Sequence, residues 1–232
     1  MKEKEVLIFD LDGTLVDTTH IGFRKVNKNL ARLGLPPVSE DFLRLHWGKK
    51  AEEIFTLICQ EAGATEGQLA DFIEYDKTMI EEYHIHPGIR WMLESLHSQG
   101  FLLGLVASRT QESFNLICNR IGLDCRYFSF LQTATHYYHH KPSGRVFGPM
   151  INWARRRGYS PEQIVYFGDT VNYDFAATQN SNPPIDFVGI VSGANTKEEF
   201  LAAGLPVERI VPSFEDFPLF LQSMIRAKVA MS

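Results

Sequence analysis

Val6-Leu7-Ile8-Phe9-Asp10-Leu11-Asp12-Gly13-Thr14-Leu15 decides the reading of this chain. Four consecutive apolar residues suit a parallel strand covered on both faces, and Gly13 then allows a sharp turn that exposes backbone N–H groups. The strand ends in two acids, Asp10 and Asp12, spaced to lie on one side of an extended backbone. That arrangement is poor material for a core. It suits a site that holds a hard cation such as Mg²⁺ beside a nucleophile, and ligands in open α/β sheets bind at such carboxyl ends.

Working outward, the period changes to helical after Thr14, with Phe23, Val26, Leu30 and Leu33 on one face and Gly34, Pro36 and Pro37 ending the segment. Ser39 before Glu40 and Asp41 starts a second helix, which Gly48 interrupts. Ile54, Phe55, Leu57 and Ile58 give a third apolar stripe. Thr65-Glu66-Gly67-Gln68 reads as a capping box for a helix carrying Leu69, Phe72, Ile73 and Ile80. Residues 17–86 therefore read as all-helical, without strand alternation.

From Pro87-Gly88 strands and helices alternate. Helices are expected around 89–96, 114–121, 146–158 and 197–202, strands at 101–107, 126–131, 164–167, 185–191 and 210–211, and a last helix from about Phe214. Ser160-Pro161-Glu162-Gln163 caps a single helical turn. Alternation of this kind implies a doubly wound parallel sheet, a Rossmann-like α/β core, with right-handed crossovers and helices on both faces. The expected division is a core of residues 1–16 and 87–232 with a helical insertion at 17–86.

The 232 residues are 44% apolar and 22% charged, as in an ordinary globular protein, and the formal net charge of -5 gives no global attraction to nucleic acid. Arg155-Arg156-Arg157 reads as a solvated helix end. No apolar run approaches membrane-spanning length, and the short start before the first strand leaves no room for a cleavable leader. Cys59, Cys118 and Cys125 are odd in number and lack CxxC spacing, so reduced thiols and a cytoplasmic location are expected.

Four segments, in order, carry a resemblance. Asp10-Leu11-Asp12-Gly13-Thr14 is similar to the first motif, DxDGT, of the haloacid dehalogenase superfamily in its phosphatase form. Ser108, closing the strand-like run 102–107, resembles the second, and Lys141 in Lys141-Pro142-Ser143-Gly144 the third. Gly168-Asp169-Thr170-Val171-Asn172-Tyr173-Asp174 resembles the GDxxxxD form of the fourth, although Asp174 falls five places after Asp169 instead of the commoner four. The nearest resemblance is to the phosphoglycolate phosphatase-like branch, and the insertion resembles that superfamily's C1 cap.

The resemblance implies an enzyme, a phosphomonoesterase acting on a small phosphorylated metabolite through an aspartyl-phosphate. Asp10 is then the nucleophile and Asp12 the general acid and base, while Ser108 and Lys141 contact the phosphoryl group. Mg²⁺ is then held by Asp10, the Asp12 carbonyl and Asp169, with Asp174 binding it directly or through water. Gly48, Lys49 and Lys50 in the insertion, with Arg109, are candidate substrate contacts. No nucleic-acid or membrane partner is expected, and the chain is a monomer or homodimer. Two rivals remain: a sugar-phosphate mutase using the same Asp10 and Asp12, and a non-catalytic binding or regulatory protein. Dehalogenation is disfavoured because Asp12 suits alkoxide leaving groups. In the run 136–140, His136-Tyr137-Tyr138-His139-His140, pocket lining is a better reading than metal binding.

Overall fold

The structure is a computed structural model that describes residues 6–49, 51–78, 83–136, 138–213, 216–217 and 219–222. Residues 1–5, Lys50, Ile80, Tyr137 and most of the helix expected from Phe214 lie outside the described residues. In chain order the strands are β1 (Val6–Phe9), β2 (Val16–Asp17), β3 (His84–Ile85), β4 (Leu102–Val106), β5 (Phe128–Gln132), β6 (Ile164–Gly168), β7 (Asp186–Ile190) and β8 (Ile210–Val211). Six of them form one wholly parallel sheet in the order β5-β4-β1-β6-β7-β8.

The apolar run of β1 is explained by its place in the middle of that sheet, where both faces are covered. Leu7 and Phe9 join one hydrophobic cluster, Val6 and Ile8 the other, as the period of two requires. The first cluster is closed by Ile89, Met92, Leu93 and Leu96 of the helix Ile89–Ser98 and by Phe114, Ile117, Cys118 and Ile121 of the helix Gln111–Ile121. The second is closed by Met150, Ile151, Trp153 and Ala154 of the helix Gly148–Arg155, and by Phe200 of the helix Lys197–Ala202. Helices on both faces make this the doubly wound α/β fold that the sequence pattern called for.

Between β2 and β3 lie α1 (Thr19–Arg32), α2 (Glu40–His46), α3 (Ala51–Glu61) and α4 (Glu66–Thr78). They gather a core of their own around Phe23, Leu30, Leu43, Ile58 and Phe72. Their ends follow the sequence signals: Ser39 Oγ accepts from Phe42 N–H at 3.1 Å, and Thr65 and Gln68 exchange backbone-to-side-chain bonds at 3.0 and 3.3 Å. The all-helical reading of 17–86 misses one feature. Asp17 pairs antiparallel with His84 as Val16 pairs with Ile85, so the chain enters and leaves the four helices side by side through a two-stranded ribbon. Two-residue strands carry no periodicity from which to read them.

Two other boundaries shift. Residues 125–127 form a 3₁₀ turn, with Asp124 accepting from Arg126 N–H at 2.9 Å, so β5 begins only at Phe128. The helix expected over 146–158 opens as a 3₁₀ turn at Gly144–Phe147 and ends its α-helical part at Arg155.

Phe167 of β6 is fully buried, stacks on Phe9 with ring centroids 5.0 Å apart, and meets Phe217 edge-on at 5.2 Å. Phe167→Ala should therefore lower the free energy of unfolding by about 3–5 kcal/mol through lost burial and a residual cavity. Urea unfolding checks this, with the midpoint falling and the slope unchanged.

Candidate active site

Parallel pairing brings the carboxyl ends of β1, β4 and β6 to one edge of the sheet, with β1 between the other two. Asp10 leaves β1 there, its N–H donating to Phe167 O at 2.9 Å; Ser108 and Arg109 follow β4, and Asp169 follows β6. The turn after Asp12 is fixed by contact as well as by backbone angle. Gly13 has φ +73, and a Cβ there would lie 2.2 Å from an Asp169 carboxylate oxygen.

Asp10, Asp169 and Asp174 are all buried, and each offers an oxygen within 4.8 Å of the others. Lys141 Nζ donates to Asp10 at 2.5 Å and to Asp174 at 2.8 Å. Asp174 also accepts from Tyr166 OH at 3.2 Å, Thr170 N–H at 3.1 Å and Thr170 Oγ1 at 2.5 Å. Asp169 accepts from Ala194 N–H at 3.0 Å and, more weakly, from Thr14 Oγ1 at 3.5 Å.

The unusual spacing of Asp174 has a structural cause. Residues Val171–Phe175 form a π-helical turn, with Phe175 N–H bonded to Thr170 O at 3.0 Å. A π turn accommodates one residue more than an α turn, so the five-place spacing still carries Asp174 into the cluster.

Electrostatics mark the cluster as strained toward proton or cation uptake. Burial, opposed by Lys141 and reinforced by Asp174 and Asp12, pushes the Asp10 carboxyl up to about 7. Burial and the charges of Asp174 and Asp10 likewise raise Asp169. For Lys141 burial acts downward, but Asp10 and Asp174 outweigh it and raise the ammonium above its ordinary value. Three buried carboxylates against one ammonium leave an excess of negative charge, and the donors are all oxygen. Such a set fits a hard divalent cation of the Mg²⁺ type.

Asp12 lies apart from that cluster. Its two oxygens accept from Arg109 Nε and Nη2, each at 2.7 Å, and Arg109 Nη1 donates to Ser113 Oγ at 3.1 Å. Arg109, taken from the sequence as a substrate contact, is thus held on Asp12 and lies 5.6 Å from the centre of the Tyr83 ring.

The inserted helices reach the same edge. Arg44 of α2 donates to Gly193 O and Ala194 O at 3.4 and 3.1 Å, and Ala194 is the residue whose N–H holds Asp169. A Cβ on Gly193 would lie 1.6 Å from Asp169 Oδ2, and Ser192 Oγ donates to Gly13 O at 2.5 Å. Gly48 packs against the Tyr173 ring. Lys49 pairs with Glu53 at 2.8 Å and has its ammonium 5.9 Å from the same ring, and Lys50 lies outside the described residues. Sequence reasoning missed Arg44, Tyr166 and the loop 192–194, none of which carries a motif of its own. In the run 136–140, His136 Nδ1 stands 3.2 Å from Thr133 Oγ1 and Tyr138 is fully exposed. Among the described residues, the acid triad is the cluster with metal-ligating geometry.

Fold and site together define a doubly wound α/β protein with an acidic centre at the strand ends. The model of the haloacid dehalogenase-like hydrolase family matches residues 7–190, and the chain belongs to that family. Among curated relatives, a phosphoglycolate phosphatase of Agrobacterium fabrum is 28% identical over 193 residues, covering 80% of each chain. A provisionally named pyrophosphatase of Clostridium perfringens is 28% identical over 221 residues, covering 92% of this chain and 91% of its own. The solved structure of a provisionally assigned β-phosphoglucomutase from Thermotoga maritima superposes with TM-score 0.72 at 23% identity, covering 94% of this chain and 99% of its own. That likeness speaks for the fold alone.

The raised Asp10 carboxyl has a consequence for stability. With about 7 folded against 3.8 in the ordinary state, the folded form binds the extra proton between those values, so stability falls as pH rises through them. In chelator, raising pH from 6 to 8 should cost about 1 kcal/mol through Asp10, and added Mg²⁺ should reduce that loss. Urea titrations at the two pH values, with and without Mg²⁺, measure both effects.

Proposed function

We propose that the protein is a Mg²⁺-dependent phosphomonoesterase that works through an aspartyl-phosphate on Asp10. The observation that carries the reading is a buried Asp10 held by Lys141 beside Asp169 and Asp174, with a second acid, Asp12, two residues on. The substrate is a small phosphorylated metabolite, a class that includes the phosphoglycolate of the named relatives. Residues 17–86 act as a cap over a core of residues 1–16 and 87–232, and the protein works in the cytoplasm as a monomer or homodimer. Among the described residues, no helix is long and apolar enough to cross a membrane.

An Asp10 oxygen attacks phosphorus in line with the ester oxygen, forming the acyl-phosphate bond as the P–O bond to the alcohol breaks. Asp12 gives its proton to the departing oxygen. It then takes a proton from water, which attacks the phosphorus of the acyl-phosphate and restores Asp10. Lys141, already on Asp10, and Ser108 at the end of β4 meet the phosphoryl oxygens with a point charge and a hydroxyl donor. Asp10, the Asp12 carbonyl, Asp169 and Asp174 would hold a Mg²⁺ ion, which would supply positive charge to offset the negative charge of the phosphoryl group. Gly48 and Lys49 border the leaving-group side, where Lys49 is already balanced by Glu53, and Lys50, the third residue of that reading, lies outside the described residues.

Asp10→Asn should abolish turnover of p-nitrophenyl phosphate while leaving the circular-dichroism spectrum intact, since the amide removes nucleophile and charge at constant volume. A near-normal rate in this folded variant would refute covalent catalysis. Asp12→Asn should slow hydrolysis of alkyl phosphates by about 10²- to 10⁴-fold and that of p-nitrophenyl phosphate less, because nitrophenolate leaves without a proton. Excess chelator should stop both reactions, and Asp169→Asn should raise the Mg²⁺ concentration for half-activity.

A further inference from the structure

We propose that Arg109 is a specificity-determining residue: it holds Asp12 until an anionic group on the substrate's leaving alcohol takes Asp12's place on the guanidinium. The inference rests on the phosphatase reading above. It assigns the substrate class as phosphomonoesters whose alcohol carries a second negative charge.

Three observations carry it. The Arg109 fork meets both Asp12 oxygens at 2.7 Å, a bidentate charge-assisted pair, so both oxygens of the proposed proton donor are taken up by Arg109. Arg109 is the fixed member of the pair. Its carbonyl accepts from Ala134 N–H at 2.8 Å and its Nη1 is anchored on Ser113, whose N–H is in turn held by Thr110 Oγ1 at 3.3 Å. Asp12, a short side chain before the Gly13 turn, has no second side-chain partner among the contacts found in the described residues.

The third observation is depth. The side chains of Arg109 and Asp12 are 23% and 25% exposed, whereas those of Lys141 and Asp10 are 4% and 8% exposed. The phosphoryl group belongs with the buried pair, so the more exposed pair faces what is attached to it. A planar guanidinium accepts a carboxylate or a phosphate in the same bidentate geometry that it offers Asp12. An anionic leaving alcohol therefore competes for the Arg109 fork, and Asp12, displaced, takes up a proton from solvent and carries it to the ester oxygen. A neutral alcohol leaves the Asp12–Arg109 pair closed.

The experiment compares 2-phosphoglycolate, whose alcohol carries a carboxylate, with glycerol 1-phosphate, whose alcohol is neutral. The wild-type protein should favour the anionic substrate in kcat/KM by about tenfold or more, equivalent to about 1.4 kcal/mol. Arg109→Gln should lose that preference by slowing the anionic substrate and quickening the neutral one, because Asp12 is released from its partner. Arg109→Lys, which keeps charge without the fork, should retain part of the preference. Calorimetry with glycolate gives a readout apart from turnover: binding should weaken in Arg109→Gln and tighten in Asp12→Asn, where the competing carboxylate is gone. Equal slowing on both substrates, or glycolate binding untouched by both substitutions, would overturn the exchange. A wild-type protein active on glycerol 1-phosphate but indifferent to the second anion overturns Arg109's role alone. Inactivity on both substrates and on p-nitrophenyl phosphate would remove the phosphatase reading with it.

Discussion

Three buried carboxylates gather beside one lysine that pairs with two of them, and the arrangement of the whole core follows from the need to hold them together. Asp10, Asp169 and Asp174 would repel one another and would each be better solvated in water. Lys141 offsets part of that cost by bridging Asp10 and Asp174, and the backbone N–H groups of Thr170 and Ala194 offset more. The remaining negative charge is what prepares the site for a cation. Such a cluster persists only because its members are fixed to elements that cannot retreat: the central strand β1, its neighbour β6, and a π-helical turn whose capping residue, Thr170, is bonded to the acid it presents.

Two acids two residues apart are given different environments by the same turn. Asp10 is enclosed beside an ammonium, whereas Asp12 faces outward onto a guanidinium. Separation of paired carboxylates by environment is a general way for two like acids on one segment to take different roles. The choice of cation matters as well. Lysine, a compact charge, serves between two carboxylates in a dry pocket; arginine, a planar fork, engages both oxygens of one carboxylate at the rim.

The inserted helices are tied into this site by backbone as much as by side chain. Arg44 binds the carbonyls of Gly193 and Ala194, and the next hydrogen bond in that chain reaches Asp169. Gly193 has no room for a side chain because Asp169 occupies the space, so the loop 192–194 joins α2 to the acid cluster across one residue's width. Asp10 and Asp169 directly follow strands of the sheet, and Arg44 with the loop 192–194 brings the insertion to the same edge.

The sequence by itself determined the alternation of strands and helices, the central place of β1, the helical insertion and the identity of the acids, because these depend on local periodicity and on residue types that are costly to bury without a purpose. It also marked the helix starts at Ser39 and Thr65, where cap and capped residue are three positions apart. Only the tertiary structure decided the β2–β3 ribbon, the π turn that carries Asp174 inward, the pairing of Arg109 with Asp12 and the service of Ala194 N–H to Asp169. The paired residues in three of these lie 25 to 97 positions apart or join strands of two residues, and the π turn is a choice between two helical windings that side-chain pattern does not distinguish. Local chemistry fixes which groups a chain carries; which of them meet is set by packing between segments that have no sequence relation to each other.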